Sequence, residues 1–419
     1  MEIKKVFIDG YKNLNNVEIE LDKITSLVSI NNFGKSNFLN GIIFCVNFIK
    51  SRIRSREALL QQKNLMPINA SCYGKNLTFK IEVEINDTNS RSFLVQYMFE
   101  LKWGYKFGEE QIVSESLKLK ENTAHQKYET IINRTEDKCH YKSSISSRCN
   151  TSLPIKKLEL ALNKLQAYDN IYFIDVIYQL NDISLYIEDS LASMNKHVYD
   201  PILIKNIGNA EITFNDLPEV LYRLKTKYEN KYKLIQNAFS ALFPNIIKFD
   251  ALRIDVPHTN SIFDLFLDDD ENGIYVLNVQ DKNLKSEIKF EEMSDGAKRI
   301  LILLTRLILA EISNIPLIII EEPENSIHPG LLNTYIQIIA QLLNTSKIIF
   351  TSHSPYIISY LPQRSIYAGI PDGKGGAMFK KLKNNNIYKA ALEENINVGE
   401  YLFTLLAEND EILSYYFDI

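Results

Sequence analysis

The sequence predicts an α/β protein with a parallel sheet, in three parts: a β-rich first lobe, a helical insertion and a parallel-sheet second lobe. Three observations predict it. Leu317–Ile320 is a run of four branched apolar residues, as in a strand covered on both faces of a parallel sheet. Lys347–Phe350 is a second short apolar strand of the same kind. Ile24–Ile30 is a third, and it runs through a short polar loop into a segment with apolar residues at helical spacing. The first two strands end in chemistry-bearing side chains, Glu321-Glu322 and Thr351-Ser352-His353-Ser354. Open α/β sheets bind ligands at the carboxyl ends of their strands, so these are candidate site residues.

The totals bound the function classes. A chain of 419 residues is long enough for two or three lobes, and 45% hydrophobic with 24% charged residues is ordinary for a globular protein. The formal charge of −5 gives no global electrostatic case for nucleic acid, although a local basic face is compatible with it. Four irregularly spaced cysteines do not make a disulfide framework in a chain this size, and they read as reduced thiols of a cytoplasmic protein. The N-terminus lacks an apolar export core, and Arg306 interrupts the longest apolar run short of the ~18 residues a membrane span needs.

The first lobe is read over residues 1–150. Ile3–Ile8 and Val17–Leu21 alternate apolar and polar residues, as half-buried strands do, with a turn at Gly10–Asn16. After the strand Ile24–Ile30, Asn37–Lys50 carries Phe38, Leu39, Ile42, Ile43, Val46 and Ile49 at helical spacing. The loop between them is Ser29-Ile30-Asn31-Asn32-Phe33-Gly34-Lys35-Ser36, followed by Asn37. Strand, loop, Gly-Lys-Ser and helix is the context of a phosphate-binding loop, in which amides at the helix start face phosphate oxygens. Lys35 is expected to reach the β- and γ-phosphates, and the Ser36 hydroxyl to ligate Mg²⁺. The pattern G-x-x-x-x-G-K-[ST] is met at its last three positions. Ser29 stands where its first glycine belongs, and a side chain there needs room.

Lys50, Arg52, Arg54 and Arg56 form a basic run after this helix, either a solvated face or a contact for nucleic-acid phosphates. Leu77–Ile85, Arg91–Trp103 and Gln111–Lys120 alternate like an antiparallel meander. The insertion is read over 151–245. It shows helical stripes at Ile155–Tyr168, Ile183–Met194 and Pro218–Leu242.

The second lobe is read over 246–419. Ile246–Val256, Ser261–Leu267 and Gly273–Val279 are strand-like, with an acidic loop at Asp268–Asn272. Ser294 can cap an apolar helix that follows it, with Asp295 and Gly296 leaving the first amides open to an anion. Glu321 is placed to hold Mg²⁺ through water. Glu322 is placed to polarise an attacking water, and His353 to hydrogen-bond a phosphate or that water.

These segments, in this order, resemble ABC-type ATPases of the family that includes the RecF, SMC and overcoming-lysogenization-defect proteins. Ser29–Ser36 looks like Walker A, Met293–Ala297 the signature, Ile318–Glu322 Walker B, Asn325–Pro329 the D-loop and His353 the switch histidine. Lys12–Leu14 (KNL) and Phe243–Ile246 (FPNI) look like the overcoming-lysogenization-defect members. The resemblance covers roughly residues 1–120 and 245–365. It implies a P-loop NTPase with an ABC-ATPase head, ATP and Mg²⁺ as ligands, and a homodimer or higher homo-oligomer. In such an assembly Lys35 and Ser36 of one copy face Ser294 and Gly296 of another. Glu321 stands where Asp is more usual.

Only 66 residues follow His353, too few for the Toprim nuclease that related proteins carry. The chain is therefore similar to stand-alone ATPase subunits of bacterial anti-phage systems such as the Septu ATPase. Such a subunit is expected to control a separate nuclease or toxin. Two rival expectations are a DNA-binding repair ATPase of RecF character, using Arg52, Arg54 and Arg56, and a nucleotide-binding scaffold with little hydrolysis.

Overall fold

The structure, a computed structural model, describes residues 1–29, 34–67, 69–105, 108–123, 126–146, 148–168, 171, 173–188, 217–255, 273–382 and 386–407. The chain divides into two compact units. The first is Met1–Ile187 with Ile315–Glu322 and Thr345–Ile419, and the second is Glu188–Asn314 with Pro323–Asn344.

The first unit opens with β1 (Glu2–Asp9), β2 (Val17–Glu20) and β3 (Ile24–Val28), then α1 (Lys35–Lys50) and α2 (Ile53–Leu60). Next come β4 (Leu77–Asn86), β5 (Ser92–Lys102), β6 (Gln111–Glu121), β7 (Glu129–Arg134), β8 (Cys139–Tyr141) and β9 (Thr151–Ser152). These make an antiparallel sheet of order β2-β1-β4-β5-β6-β7-β8-β9, so the expected meander is present. Its strands alternate because one face is buried. Phe79, Ile81, Val83, Val95, Tyr97 and Phe99 enter the core, and α1 supplies Phe44 and Phe48 to it. Phe48 stacks on Phe99 at 5.2 Å, and Phe44 meets Trp103 at 5.8 Å. All four cysteines are free thiols, and three are buried.

The first unit continues with α3 (Ala161–Leu165), α4 (Ile174–Asn181) and β10 (Leu185–Glu188). The apolar stripe at 155–168 yields a helix only over its end. The cause is Glu115, fully buried on β6, whose carboxylate accepts the amides of Ala161 at 2.7 Å and Leu162 at 2.9 Å and fixes where the helix starts. The stripe at Ile183–Met194 begins as strand β10, because sheet pairing overrides a short helical pattern there. The rest of that stripe lies outside the described residues.

The second unit contains α5 (Leu217–Lys227), α6 (Glu229–Leu242), β11 (Ile246–Asp255), β12 (Gly273–Asp281) and β13 (Ile288–Lys289). It also holds α7 (Asp295–Ile312) and, after β14 (Leu317–Glu321) of the first unit, α8 (Leu332–Leu342). The single long helix expected at Pro218–Leu242 is broken at Tyr228, whose backbone leaves the helical region (φ −138°, ψ 57°). The segment 151–245 thus contributes α3 and α4 to the first unit, and α5 and α6 to the second. The strand expected at Ser261–Leu267 and the acidic loop Asp268–Asn272 lie outside the described residues.

The first unit closes with β15 (Lys347–Ser352), α9 (Pro355–Tyr360), β16 (Ile366–Pro371), β17 (Ala377–Lys381), α10 (Asn386–Glu393) and α11 (Val398–Ala407). These complete a second sheet of order β10-β14-β15-β3-β16-β17. Strands β14, β15, β3 and β16 run parallel, and β17 turns back antiparallel on β16. The apolar runs are the central strands: Leu317, Ile318, Ile319, Ile348, Ile349 and Phe350 have no exposed surface. Among the described residues no helix is long and apolar enough to cross a membrane.

Candidate functional site

Parallel pairing sets three adjacent strand ends side by side. Glu321 pairs with Thr351 across β14 and β15, and Ser352 pairs with Val28 across β15 and β3. The residues that follow are therefore neighbours along one crest: Glu322 after β14, His353 after β15 and Ser29 after β3. The sequence expected this crest at the carboxyl ends of the strands, and the strand order places β15 between the other two.

At the β3 end, α1 begins with Gly34 as its N-cap, at φ 93°, and no side chain caps the helix. A side chain at Gly34 would be strained by that angle, and its Cβ would lie 2.6 Å from the Cβ of Ala377. Lys35 is buried and donates from Nζ to the Ser29 carbonyl at 2.8 Å and the Ser29 Oγ at 3.0 Å. Ser36 is exposed, and the Asn37 side chain donates from Nδ2 to Asn13 Oδ1 at 2.7 Å. The candidates Asn31, Asn32 and Phe33 lie outside the described residues.

At the β14 end, Glu321 and Glu322 are both half-buried. The amide of Glu322 donates to the Thr351 carbonyl at 2.9 Å, extending the ladder by one bond. Its backbone sits at φ 47°, a left-handed conformation rare for a side chain of this size, with Pro323 next. Strain of this kind, about 1–3 kcal/mol, persists where surroundings impose it and clusters at functional sites. The Glu322 carboxylate lies 3.7 Å from His353 Nε2, an electrostatic contact longer than a hydrogen bond, and each side chain keeps 36% of its surface exposed.

The helix after His353 is braced from the far end of the chain. Asn397 Oδ1 accepts the Gly399 amide at 2.8 Å, and the Ser359 hydroxyl lies within hydrogen-bond distance of both Asn397 Oδ1, at 2.6 Å, and the Pro355 carbonyl, at 2.9 Å. A Cβ on Gly399 would lie 1.9 Å from that carbonyl, so only glycine permits this approach of α11 to α9. The hairpin between β16 and β17 braces the other side. Asp372 accepts the amides of Lys374 at 2.8 Å and Gly376 at 2.6 Å, together with the Asn15 side chain. Partial burial raises its pKa, but these hydrogen bonds outweigh that and hold it down at about 2.

In the second unit, Ser294 caps α7 as expected, its hydroxyl accepting the Ala297 amide at 3.4 Å. Ser294 and Asp295 are exposed and Gly296 is half-buried. Asp295 lies 3.6 Å from Lys298.

One expectation is corrected. Arg56 is not a surface contact for nucleic acid, because it is 1% exposed. Its guanidinium donates to the carbonyls of Phe48 at 2.8 Å, Ile49 at 3.1 Å and Leu158 at 2.9 Å, and to the Asn163 side chain. It satisfies the C-terminal carbonyls of α1, a role the basic run does not distinguish from surface charge. Arg52 and Arg54 are exposed.

Two contributors to the crest were not singled out from sequence. The sequence offers Asn13 only as part of the KNL match. Gly369 was not singled out, although a lone glycine in the strand pattern Tyr-Ala-Gly-Ile signals a close approach of another chain segment.

The residues fit a phosphate chain with a divalent cation. The observation is an uncapped helix start beside a lysine held among oxygens, with an exposed hydroxyl next to it and a carboxylate on the same crest. Among the described residues no group of three or more His, Cys, Asp or Glu is gathered as an all-protein metal cage, a different kind of site from one completed by substrate phosphates.

The family described as AAA ATPase domain matches residues 1–358. The chain belongs to that family. Solved structures similar to it include an SMC head bound to the C-terminal winged-helix domain of ScpA. That match has 13% identity and a TM-score of 0.51, and covers 93% of this chain and 100% of the other. An SMC head domain from Thermotoga maritima matches with 10% identity and a TM-score of 0.46, covering 92% of this chain and 100% of the other. No curated protein matches the chain. The fold is thus that of an SMC-like P-loop ATPase head, in agreement with the α/β class the sequence predicts.

Proposed function

We propose that this AAA ATPase binds and hydrolyses ATP at the crest. It acts as a sensor or regulatory subunit of a prokaryotic anti-phage defence complex, in the cytoplasm. The observation that supports the chemistry is the setting of Glu321, Glu322 and His353 at adjacent parallel strand ends, with Lys35 at the start of α1 bonded to Ser29 at the end of the third strand. Lys35 and the first amides of α1 bind and orient the phosphates. Ser36 and Glu321 are the residues that would hold Mg²⁺, which supplies charge neutralisation on the phosphate oxygens when bound. Glu322 orients the attacking water and accepts its proton, and His353 holds that geometry. Ser294, Asp295 and Gly296 serve a second copy of the chain, so that ATP joins subunits head to tail and hydrolysis loosens them.

The defence role and a separately encoded nuclease or toxin as effector rest on the KNL and FPNI resemblance. The repair-ATPase alternative loses part of its support, since only Arg52 and Arg54 of the three arginines are on the surface.

The test is the solution mass of wild type and Glu322→Gln, each with and without ATP and Mg²⁺, alongside phosphate release. We expect a larger species in the variant only with ATP, and turnover reduced about 10²-fold or more. Equal mass in all four samples with undiminished phosphate release would overturn both the switch and the role of Glu322. Stimulation of hydrolysis by DNA, lost when Arg52 and Arg54 are neutralised, would favour the repair reading.

A further inference from the structure

Position 29 is where the phosphate-loop pattern asks for glycine, and the chain has serine. The structure accommodates that serine from the neighbouring strand. Val28 pairs with Ala368 across β3 and β16, so Ser29 and Gly369 are the next pair along. Ser29 is fully buried, and a Cβ added to Gly369 would lie 2.8 Å from the Cβ of Ser29 and 3.2 Å from the Phe379 ring. Real Cβ atoms do not approach so closely. The glycine missing from the loop is, in effect, found on β16.

The serine put there is not inert. Its Oγ and its carbonyl both accept from Lys35 Nζ, at 3.0 and 2.8 Å, and Lys35 is only 7% exposed. Any residue at position 29 supplies the carbonyl, and serine adds the hydroxyl. A buried ammonium with oxygen acceptors already in place must give some of them up to turn toward a ligand's oxygens. A glycine at position 29 would impose one fewer such exchange.

We propose that the Ser29 hydroxyl is a positioning residue acting through Lys35. It serves as an internal stand-in for a phosphate oxygen and lowers the affinity for nucleotide, with Gly369 as the residue that makes room for it. The inference rests on the nucleotide-binding reading above and deepens it. Anionic phosphate oxygens outcompete a neutral hydroxyl for the ammonium, so binding still occurs. The hydroxyl sets how much nucleotide it takes to load the subunit. Ser29 thereby acts on binding and leaves the chemical step alone.

The experiment is calorimetric titration of Mg-ADP into wild type, Ser29→Ala and Lys35→Ala, with KM and kcat for ATP on the first two. Loss of one net hydrogen bond to the hydroxyl predicts a Kd for Ser29→Ala lower by about fivefold. KM should fall by a similar factor, with kcat within about twofold of wild type. Unchanged or weaker binding by a folded Ser29→Ala overturns the inference and leaves the nucleotide site standing. Absence of binding by wild type overturns the site itself and the inference with it.

A second arm needs no nucleotide. Gly369→Ala should lower Tm, and adding Ser29→Gly should recover part of the loss, because the colliding Cβ is gone. Strictly additive losses would show that the two positions do not compensate. If Ser29→Ala does not fold, Ser29→Gly carries the titration with the same expectation.

Discussion

Two regions of the first unit hold charged side chains in opposite ways. In the core of the antiparallel sheet, Arg56 and Glu115 are buried to 1% exposure or less, and most of their hydrogen bonds go to fixed backbone groups: three carbonyls for Arg56, beside the Asn163 side chain, and two amides for Glu115, beside the Tyr97 hydroxyl. At the crest of the parallel sheet, Glu322 and His353 each keep 36% of the side chain open and stand 3.7 Å apart, with the Glu322 backbone held at positive φ. The first arrangement closes on itself and fixes the ends of α1 and α3. The second keeps part of each side chain accessible at the strand ends, which is what a ligand needs. Charge alone does not distinguish the two, but the partners of each charge do.

The comparison can be broken most directly at Arg56. If it is a core tie, Arg56→Ala leaves the carbonyls of Phe48 and Leu158 without this donor, leaves that of Ile49 to the Asn163 side chain alone, and opens a void against the Phe48 ring, over which the guanidinium lies at 4.9 Å. The expected loss is about 3 kcal/mol or more of unfolding free energy, read as a shift in urea midpoint. Arg52→Ala and Arg54→Ala, both exposed, should each stay within about 0.5 kcal/mol. Three equal, small effects would place Arg56 on the surface and undo the contrast.

Most of the crest was legible in the sequence, and the closed network was not. Four branched apolar residues ending in Glu-Glu can do little else than form a buried strand with acids at its tip. Lys35 announces itself by standing between Gly34 and Ser36 at a helix start. Arg56, by contrast, follows Lys50, Arg52 and Arg54 in a run that has the same composition whether it is solvated or folded inward. Arg56 turns inward onto the carbonyls of Phe48 and Ile49 and onto that of Leu158, about a hundred positions away, and no local pattern reports the last. The short helix α3 escaped for the same reason, its start being fixed by Glu115 from another strand. Tyr228 breaks a helical stripe that periodicity carries straight through.

A smaller effect sharpens the crest side. Gly399 meets the Pro355 carbonyl so closely that Gly399→Ala must push α11 from α9, the helix that follows His353. We expect a loss of about 1–3 kcal/mol in stability. Turnover should fall further than ATP affinity, because His353 shifts while Lys35 does not. Equal losses in kcat and in binding would mean that the brace supports the unit as a whole and not the His353 end of the crest.

The smallest effect tests the closed network by its pH dependence. Burial raises the pKa of Glu115 above the ordinary glutamate range, and the amides of Leu162 and Ala161, nearby Arg134 and the Tyr97 hydroxyl only partly offset it. An acid whose folded pKa exceeds its unfolded one binds more protons when folded, over the interval between the two. Its contribution to stability is therefore greatest below the unfolded value and falls as pH rises from that value to the raised one. Glu115→Gln is neutral throughout, and its side-chain oxygen can still accept a backbone amide. The difference in unfolding free energy between wild type and variant should therefore move in the variant's favour as pH rises through that interval, then level off. A difference that is flat with pH would mean Glu115 titrates alike in both states, which a carboxylate with no exposed surface should not do.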